Sequence, residues 1–181
     1  MYAVESKGAE EFFDELDPAR VRSPKVFQLH QAWESMRPGP GVLPGRAHFD
    51  PAAVGRLLPS LVSLDILRDG DGEISSFRFR LVGSAISDAY GENPTGEAIG
   101  GSGTLGPILS HHRQVAESGR PLWRLAPPAQ PVLRGRVDVV ENLVLPLASD
   151  GKSPDVLVIL AIFYDHAGRE FRPFRRRSGP A

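Results

Sequence analysis

The sequence predicts one α+β domain in which helices cover one face of an antiparallel sheet. Three observations support this fold class. The predicted elements run in the order helix, two strands, a helical segment and three strands. Asp69-Gly70-Asp71-Gly72 is a turn of the kind that joins two antiparallel strands. Residues 156–163 are apolar on both faces, as expected of a central strand with a neighbour on each side.

Composition limits the function further. The chain has 181 residues, of which 41% are hydrophobic, enough for one sizeable core. The formal net charge of -1 gives no general attraction to nucleic acid. The absence of cysteine excludes disulfides, thiolate metal sites and a cysteine nucleophile. Residues 1–17 contain no secretory signal, and the apolar run 156–164 is too short to span a bilayer as a helix, so we expect a cytoplasmic protein.

The N-terminal region divides into two predicted segments. Residues 1–22 are acidic and weakly periodic, which predicts a flexible arm with a short helix near Phe12 and Phe13. Ser23-Pro24 is a cap followed by a first-turn proline and predicts a helix within residues 23–40. Its apolar residues cover more than one face, so we expect one side to contact a second copy of the chain. The predicted dimer contact consists of Val26, Phe27, Leu29, Trp33 and Met36.

The main domain is predicted over residues 41–166, followed by a basic tail over 167–181. Asp50-Pro51 predicts the start of a short helix that ends near Pro59. Alternating residues then predict a hairpin, with Val62, Leu64 and Ile66 on one face of its first strand and with Phe77, Phe79 and Leu81 alternating with Arg78 and Arg80 on its second. The remaining predicted elements are a helix capped by Ser84, a helix over 104–118, and strands at 121–126, 135–147 and 155–165.

Two glycine motifs resemble phosphate loops but lack the required context. Residues 101–106 match G-x-G-x-x-G, yet a turn precedes them and no acid follows at the expected distance, which favours a flexible loop. Gly151-Lys152-Ser153 lacks the first glycine of a Walker A motif, because Pro146 occupies that position. We therefore interpret the second motif as a hairpin turn.

Several polar residues lie in unusual places. His112 lies on the apolar stripe of a helix, which is typical of a core-edge histidine; the alternative is an axial haem ligand. Glu141 lies in an apolar strand, which favours an ion pair or hydrogen bond at the sheet edge over catalysis. Arg78 and Arg80 are expected on a solvated or helix-capping face, with a ligand carboxylate or phosphate as the alternative partner. The arginines of 169–177 favour a solvated tail over nucleic-acid or acidic-lipid binding.

Short segments in a fixed order resemble a known family. They are Leu43-Pro44-Gly45-Arg46, Phe49-Asp50-Pro51, Leu57-Leu58-Pro59, Phe79-Arg80-Leu81-Val82-Gly83-Ser84, Tyr90-Gly91, Thr95-Gly96, and Glu141 followed by Leu145-Pro146-Leu147 and Gly151. Over about residues 33–163 the chain resembles an alphaproteobacterial PAS-like family of short stand-alone bacterial proteins.

The resemblance implies a PAS-like five-stranded antiparallel sheet with helices over one face, here with an additional N-terminal helix. It also implies a sensor that binds a small molecule between sheet and helices, contacts a signalling protein partner, forms a homodimer and is not an enzyme. The missing cysteine departs from the light-sensing flavin type and from the cysteine-linked chromophore type. His112 is the candidate ligand for haem, flavin without covalent attachment stays open, and the cofactor is therefore unknown.

The sensor interpretation predicts a mostly apolar pocket with few polar groups. We predict that it is lined by Phe77, Phe79, Arg80, Leu109, His112, Glu141, Leu143 and Leu145. Two alternatives stay open at this point. A ligand-free interaction scaffold would have a filled core. A small-molecule enzyme of a cone-shaped α+β fold would use Glu141 or His112 as its base.

Overall fold

An antiparallel sheet organises the chain in the computed structural model, which describes residues 9–13, 15–50, 52–99 and 106–170. The sheet has seven strands in the order β1-β5-β6-β7-β2-β3-β4. Their bounds are β1 Ala9–Phe12, β2 Leu61–Arg68, β3 Ile74–Val82, β4 Ala98–Ile99, β5 Leu122–Ala126, β6 Val139–Leu147 and β7 Val156–Tyr164. Strands β2, β3, β5, β6 and β7 are the five predicted strands, and β1 and β4 extend the two edges.

Within the described residues, three α-helices pack against this sheet. They are α1 Pro24–Ser35, α2 Ser84–Tyr90 and α3 Gly106–Ser118, and short 3-10 turns occur at Arg46–His48, Gly55–Ser60 and Pro131–Leu133. The predicted start of α1 is confirmed, because the Ser23 hydroxyl accepts a hydrogen bond from the Lys25 amide at 3.3 Å and Pro24 opens the helix. The helix expected after Asp50 is instead the 3-10 turn Gly55–Ser60, which contains Pro59.

The sheet is covered on both faces. The face that we call the α1 face packs Val26, Leu29 and Trp33 of α1 against alternate residues of the central strands, such as Leu143 and Leu160. The opposite face, the α3 face, carries the other alternate residues under α2, α3 and the 131–133 turn. All nine residues of β7 are buried, which explains why its sequence is apolar on both sides. The N-terminal helix thus supplies the second cover of the central strands.

Part of the acidic arm is a strand. The short helix expected near Phe12 and Phe13 is wrong, because residues 9–12 pair with β5, with Phe12 opposite Leu122. Phe13 and Leu16 are buried in the core of the α1 face. The open edge of β5 offers backbone hydrogen bonds to this segment. Because β5 is far away in the chain, the local sequence of residues 9–12 does not reveal this pairing.

The apolar residues of α1 are largely used inside the chain. Val26, Leu29 and Trp33 are buried, and the Trp33 indole donates a hydrogen bond to the Pro146 carbonyl at 2.9 Å. Phe27 is half-buried against the same core. Covering the sheet therefore accounts for most of the apolar surface that motivated the predicted dimer contact. The homodimer itself stays a prediction.

A β-bulge between β2 and β3 changes the face on which one residue of the predicted hairpin lies. Residues 62, 64 and 66 lie buried on the α3 face as predicted. The register then shifts, so that Ser63 opposes Leu81 whereas Leu64 opposes Phe79. This bulge places Leu81 on the opposite face from Phe79, and its side chain is 41% exposed. The predicted alternation of Phe77, Phe79 and Leu81 fails at its last member for this reason.

Two glycines set the ends of α2. Gly83, and not Ser84, is the N-cap, with an extended backbone just before the helix. A Cβ atom at residue 83 would lie 2.3 Å from the carbonyl oxygens of Leu58 and Pro59, so this position requires glycine. Gly91 ends the helix with φ of 82°, a conformation that side chains disfavour. The predicted strands at 121–126 and 155–165 are confirmed within one residue, whereas 135–147 begins only at Val139.

Candidate ligand cavity

A cavity of about 430 Å³ lies between the α3 face of the sheet and the elements that cover it. Its floor comes from β2, β5, β6 and β7, and its roof from α2, α3 and the 127–133 segment. The volume lies in the range of small-molecule sites in proteins. Apolar lining residues are Val62, Leu64, Phe79, Val82, Ile86, Ile99, Leu109, Leu122, Leu133, Val140, Val144, Ile159 and Ala161.

A polar row crosses the floor between apolar rows. Arg124 of β5 lies directly opposite Asn142 of β6, and Asn142 lies opposite Ala161 of β7. The next row contains Leu122, Val144 and Ile159. Two hydrogen-bonding side chains therefore sit side by side in a largely apolar floor, with the small Ala161 beside them.

His112 enters from the roof. Its side chain is 8% exposed and its ring meets Phe77 edge-on, with ring centroids 6.2 Å apart. Burial lowers the pKa of His112 to about 3, and the neighbouring His111 and Arg124 lower it further, so the ring is neutral at physiological pH. Its Nδ1 atom is buried without a hydrogen-bond partner among the residues that the structure describes.

Further polar groups surround the cavity. Burial raises the pKa of Tyr90 to about 12, so its hydroxyl stays protonated, and its ring meets Phe163 edge-on at 6.1 Å. The Oε1 atom of Gln130 is buried and has no hydrogen-bond partner in the described part of the chain. Glu92 and Glu97 line the cavity but are exposed, which places their charges at its mouth.

A second polar cluster lies on the α1 face. The Glu141 side chain is 0% exposed, and its carboxylate accepts hydrogen bonds from the amides of Arg22 at 2.8 Å and Ser23 at 3.0 Å. It also accepts from the Trp123 indole at 3.0 Å and the Tyr164 hydroxyl at 2.7 Å. Burial and the hydrogen bond to Glu141 raise the pKa of Tyr164, so this hydroxyl remains a donor. We call these residues the Glu141 cluster.

The sequence of the first half of this fold matches a known family. A family model described as a PAS domain matches residues 21–100. This segment is similar to the PAS domain family. It runs from the start of α1 to β4, and β5, β6 and β7 complete the PAS-like sheet outside the matched part. Comparison with curated proteins finds no match, and neither does comparison with solved structures.

The match indicates a sensory or signalling module. Among the described residues, no helix combines the length and the apolarity needed to cross a membrane. No group of three or more histidine, aspartate or glutamate side chains in the described ranges is arranged to hold a metal ion.

The predicted pocket residues separate into two groups. Phe79, Leu109 and His112 line the cavity, and Phe77 adjoins it through the ring of His112. His112 therefore faces a cavity, as the haem interpretation requires. The other predicted residues lie elsewhere: Glu141, Leu143 and Leu145 are on the α1 face, and Arg80 is on the exposed surface of β3.

Strand alternation explains the residues that were placed wrongly. In β6, Val140, Asn142 and Val144 line the cavity, so their neighbours Glu141, Leu143 and Leu145 point to the other face. The strand was predicted correctly but with the wrong face toward the cavity. Since both faces are buried, the hydrophobic pattern could not decide between them. Asn142, a polar residue between apolar ones, was the available signal.

The remaining polar predictions have structural explanations. The hydrogen-bond interpretation of Glu141 is confirmed, but its place at the sheet edge is wrong, because β6 lies between β5 and β7. Arg78 and Arg80 lie on a solvated face, as predicted, and their guanidinium groups reach Asp65 at 3.2 and 3.5 Å. Residues 101–105 of the glycine motif and 171–177 of the tail lie outside the described residues.

Proposed function

We propose that this PAS module binds a small molecule in the cavity of the α3 face and passes the signal to a protein partner without catalysing a reaction. The cavity itself carries the proposal. A scaffold without ligand would be expected to fill its interior, because protein cores are close-packed. Here about 430 Å³ stays open beneath the helices, with apolar walls and a few polar side chains.

The enzyme alternative is less well supported by the same geometry. Glu141 lies outside the cavity, and its oxygens already accept four hydrogen bonds. His112 does line the cavity, but burial holds its pKa at about 3. A group with so low a pKa accepts protons poorly at neutral pH, where a general base works best with a pKa near the ambient pH.

Native mass spectrometry of the purified full chain tests the proposal. We expect a bound small molecule whose mass is lost on denaturation. An Ala161→Phe variant, which fills the floor of the cavity, should stay folded and lose that mass. Ala53→Phe, at an exposed position, should keep it. Retention of the small molecule in Ala161→Phe would place it elsewhere and contradict the proposal.

The same spectra report the oligomeric state. A homodimer through α1 would have to use its half-buried residues, such as Phe27 and Met36, because Val26, Leu29 and Trp33 pack inside the chain. We expect substitution of Phe27 and Met36 by polar residues to shift a dimer toward monomer. The partner that receives the signal and the cytoplasmic location belong to the proposal as well.

A further inference from the structure

We propose that the ligand of the cavity is an amphiphilic monoanion, a flat apolar molecule with one carboxylate, held at the polar row of the floor by Arg124 and Asn142. The inference rests on the proposed function and adds the chemical class of the ligand. It also assigns the two side chains that recognise it.

The two side chains are placed to bind one group together. Arg124 and Asn142 are directly opposed on neighbouring antiparallel strands, where the Cβ atoms of opposed residues lie about 5 Å apart. A guanidinium group has several N–H donors in a fork that matches a carboxylate, and an amide adds further donors. On its other side Arg124 is opposed in register by Glu10 of β1. Because a guanidinium group has five N–H donors, Arg124 can bind a ligand and keep its contacts with other residues of the chain.

The amide of Asn142 has donor capacity left. Its Nδ2 atom donates a long hydrogen bond of 3.4 Å to the Leu160 carbonyl. A carboxylate beside it would receive a shorter, charge-assisted hydrogen bond, which is the stronger kind. Asn142 therefore gains by turning toward an anionic ligand.

The floor also has room for an apolar body. Ala161 continues the polar row into β7 with a small side chain, which leaves space above it. The neighbouring row of Leu122, Val144 and Ile159 offers a flat apolar surface. A planar hydrocarbon can lie on this row while its carboxylate reaches Arg124.

The electrostatic environment favours an anion. Burial is the main reason that the pKa of His112 is lowered, and burial disfavours charge of either sign. His111 and Arg124 lower this pKa further, so a cation is less favourable here than an anion. The exposed Glu92 and Glu97 are at the mouth and are screened by solvent. The buried Nδ1 of His112 also lacks a partner among the described residues, and a turn of the imidazole would bring a nitrogen toward the ligand.

Calorimetric titration of the full chain with three probes of one shape tests the inference. The probes are naphthoate, the neutral naphthamide and the cationic naphthylmethylammonium. We expect naphthoate to bind about tenfold more tightly than naphthamide, as one charge-assisted hydrogen bond supplies, and the cation to bind least. Arg124→Met should remove most of this preference while leaving naphthamide affinity nearly unchanged. Arg78→Met, on the solvated face of the same sheet, is the matched control.

Asn142→Val provides a second variant that suits a strand, and it should weaken naphthoate severalfold. Thermal unfolding midpoints show whether each variant is folded. Equal binding of naphthoate and naphthamide to the wild-type chain would overturn the inference that the ligand is an anion, although the cavity would remain a ligand site. An unchanged preference in both folded variants would overturn the assignment of Arg124 and Asn142. Binding of none of the probes, together with no copurified small molecule, would overturn the proposed function and the inference with it.

Discussion

The two faces of the central sheet differ in how completely they are packed. On the α1 face, leucine, valine and tryptophan side chains pack closely, and the buried Glu141 has all four of its hydrogen bonds satisfied. On the α3 face, the cover of α2 and α3 leaves an open cavity, and polar atoms of His112 and Gln130 stay without partners in the described structure. Because both faces share β6 and β7, one set of strands combines a stable side with a side that can bind.

The largest effect should come from breaking the Glu141 cluster. Glu141→Leu would leave two backbone amides, the Trp123 indole and the Tyr164 hydroxyl buried without an acceptor. We expect the free energy of unfolding to fall by at least about 5 kcal/mol, because four donors lose their acceptor and each one costs about 1–3 kcal/mol. Urea unfolding measures the loss. Glu97→Gln, at the exposed mouth of the cavity, is the control, and its free energy of unfolding should stay close to that of the wild-type chain. A loss below about 1 kcal/mol in Glu141→Leu would mean that the Glu141 cluster does not stabilise the fold.

The next effect compares two helical leucines. Leu29 of α1 is 0% exposed in the packed face, whereas Leu109 of α3 lines the cavity. Leu29→Ala should cost about 3–5 kcal/mol, since a new hole must open in close packing. Leu109→Ala should cost about 1–2 kcal/mol, because it enlarges a space that is already open. Equal losses in chemical denaturation would show that both faces are equally well packed.

A smaller effect depends on pH. His112 has its pKa lowered from 6.5 to about 3 in the folded chain, so the unfolded chain binds the proton more readily. Its contribution to stability is therefore present above about pH 6.5 and is lost as the pH falls toward 3. Between about pH 7 and pH 5 the loss should be about 2 kcal/mol.

The variant His112→Phe should remove this part of the pH dependence. His30, whose pKa is also lowered by burial, contributes in the same direction and accounts for a remaining slope. His166→Asn, which removes a side chain that is 65% exposed, should behave like the wild-type chain. Parallel stability curves for wild type and His112→Phe would mean that the ring takes up its proton as readily in the folded chain as in the unfolded chain.

The smallest effect concerns local opening. Residues 84–99 cover the cavity with a seven-residue helix and a two-residue strand, whereas β7 pairs along both of its sides. Amides of 84–99 should therefore exchange with solvent much faster than those of 156–163. Equal protection in the ligand-free chain would make the cover as rigid as the sheet and would favour the scaffold interpretation.

Sequence reasoning succeeded where a pattern is local. The cap and proline at Ser23-Pro24, the Asp-Gly turn after β2 and the two-sided apolar run of β7 each identified an element correctly. It failed where pairing between distant segments determines the structure. The pairing of β1 with β5 and the bulge opposite Ser63 depend on residues far apart in the chain.

The candidate site was predicted in part for the same reason. His112 and Leu109 follow from the apolar stripe of α3, and a helix has one buried side. Residues of β6 could not be assigned to a face, because eight of its nine residues are buried. In such a strand, apolar residues do not alternate with polar ones, so the sequence does not show which residues share a face. Arg124, which also lines the cavity, was missed, since its place beside Asn142 depends on the pairing of two strands.

The contacts of Glu141 constrain how the N-terminal region can vary. The carboxylate meets the backbone amides of residues 22 and 23, so side-chain substitution of Arg22 leaves this contact in place. Proline at either position would remove the amide that donates. An inserted or deleted residue between Leu16 and Ser23 would shift both amides away from the carboxylate while Leu16 stays buried in the core. Homologous chains should therefore tolerate changes of residue type in this segment far more readily than changes of its length.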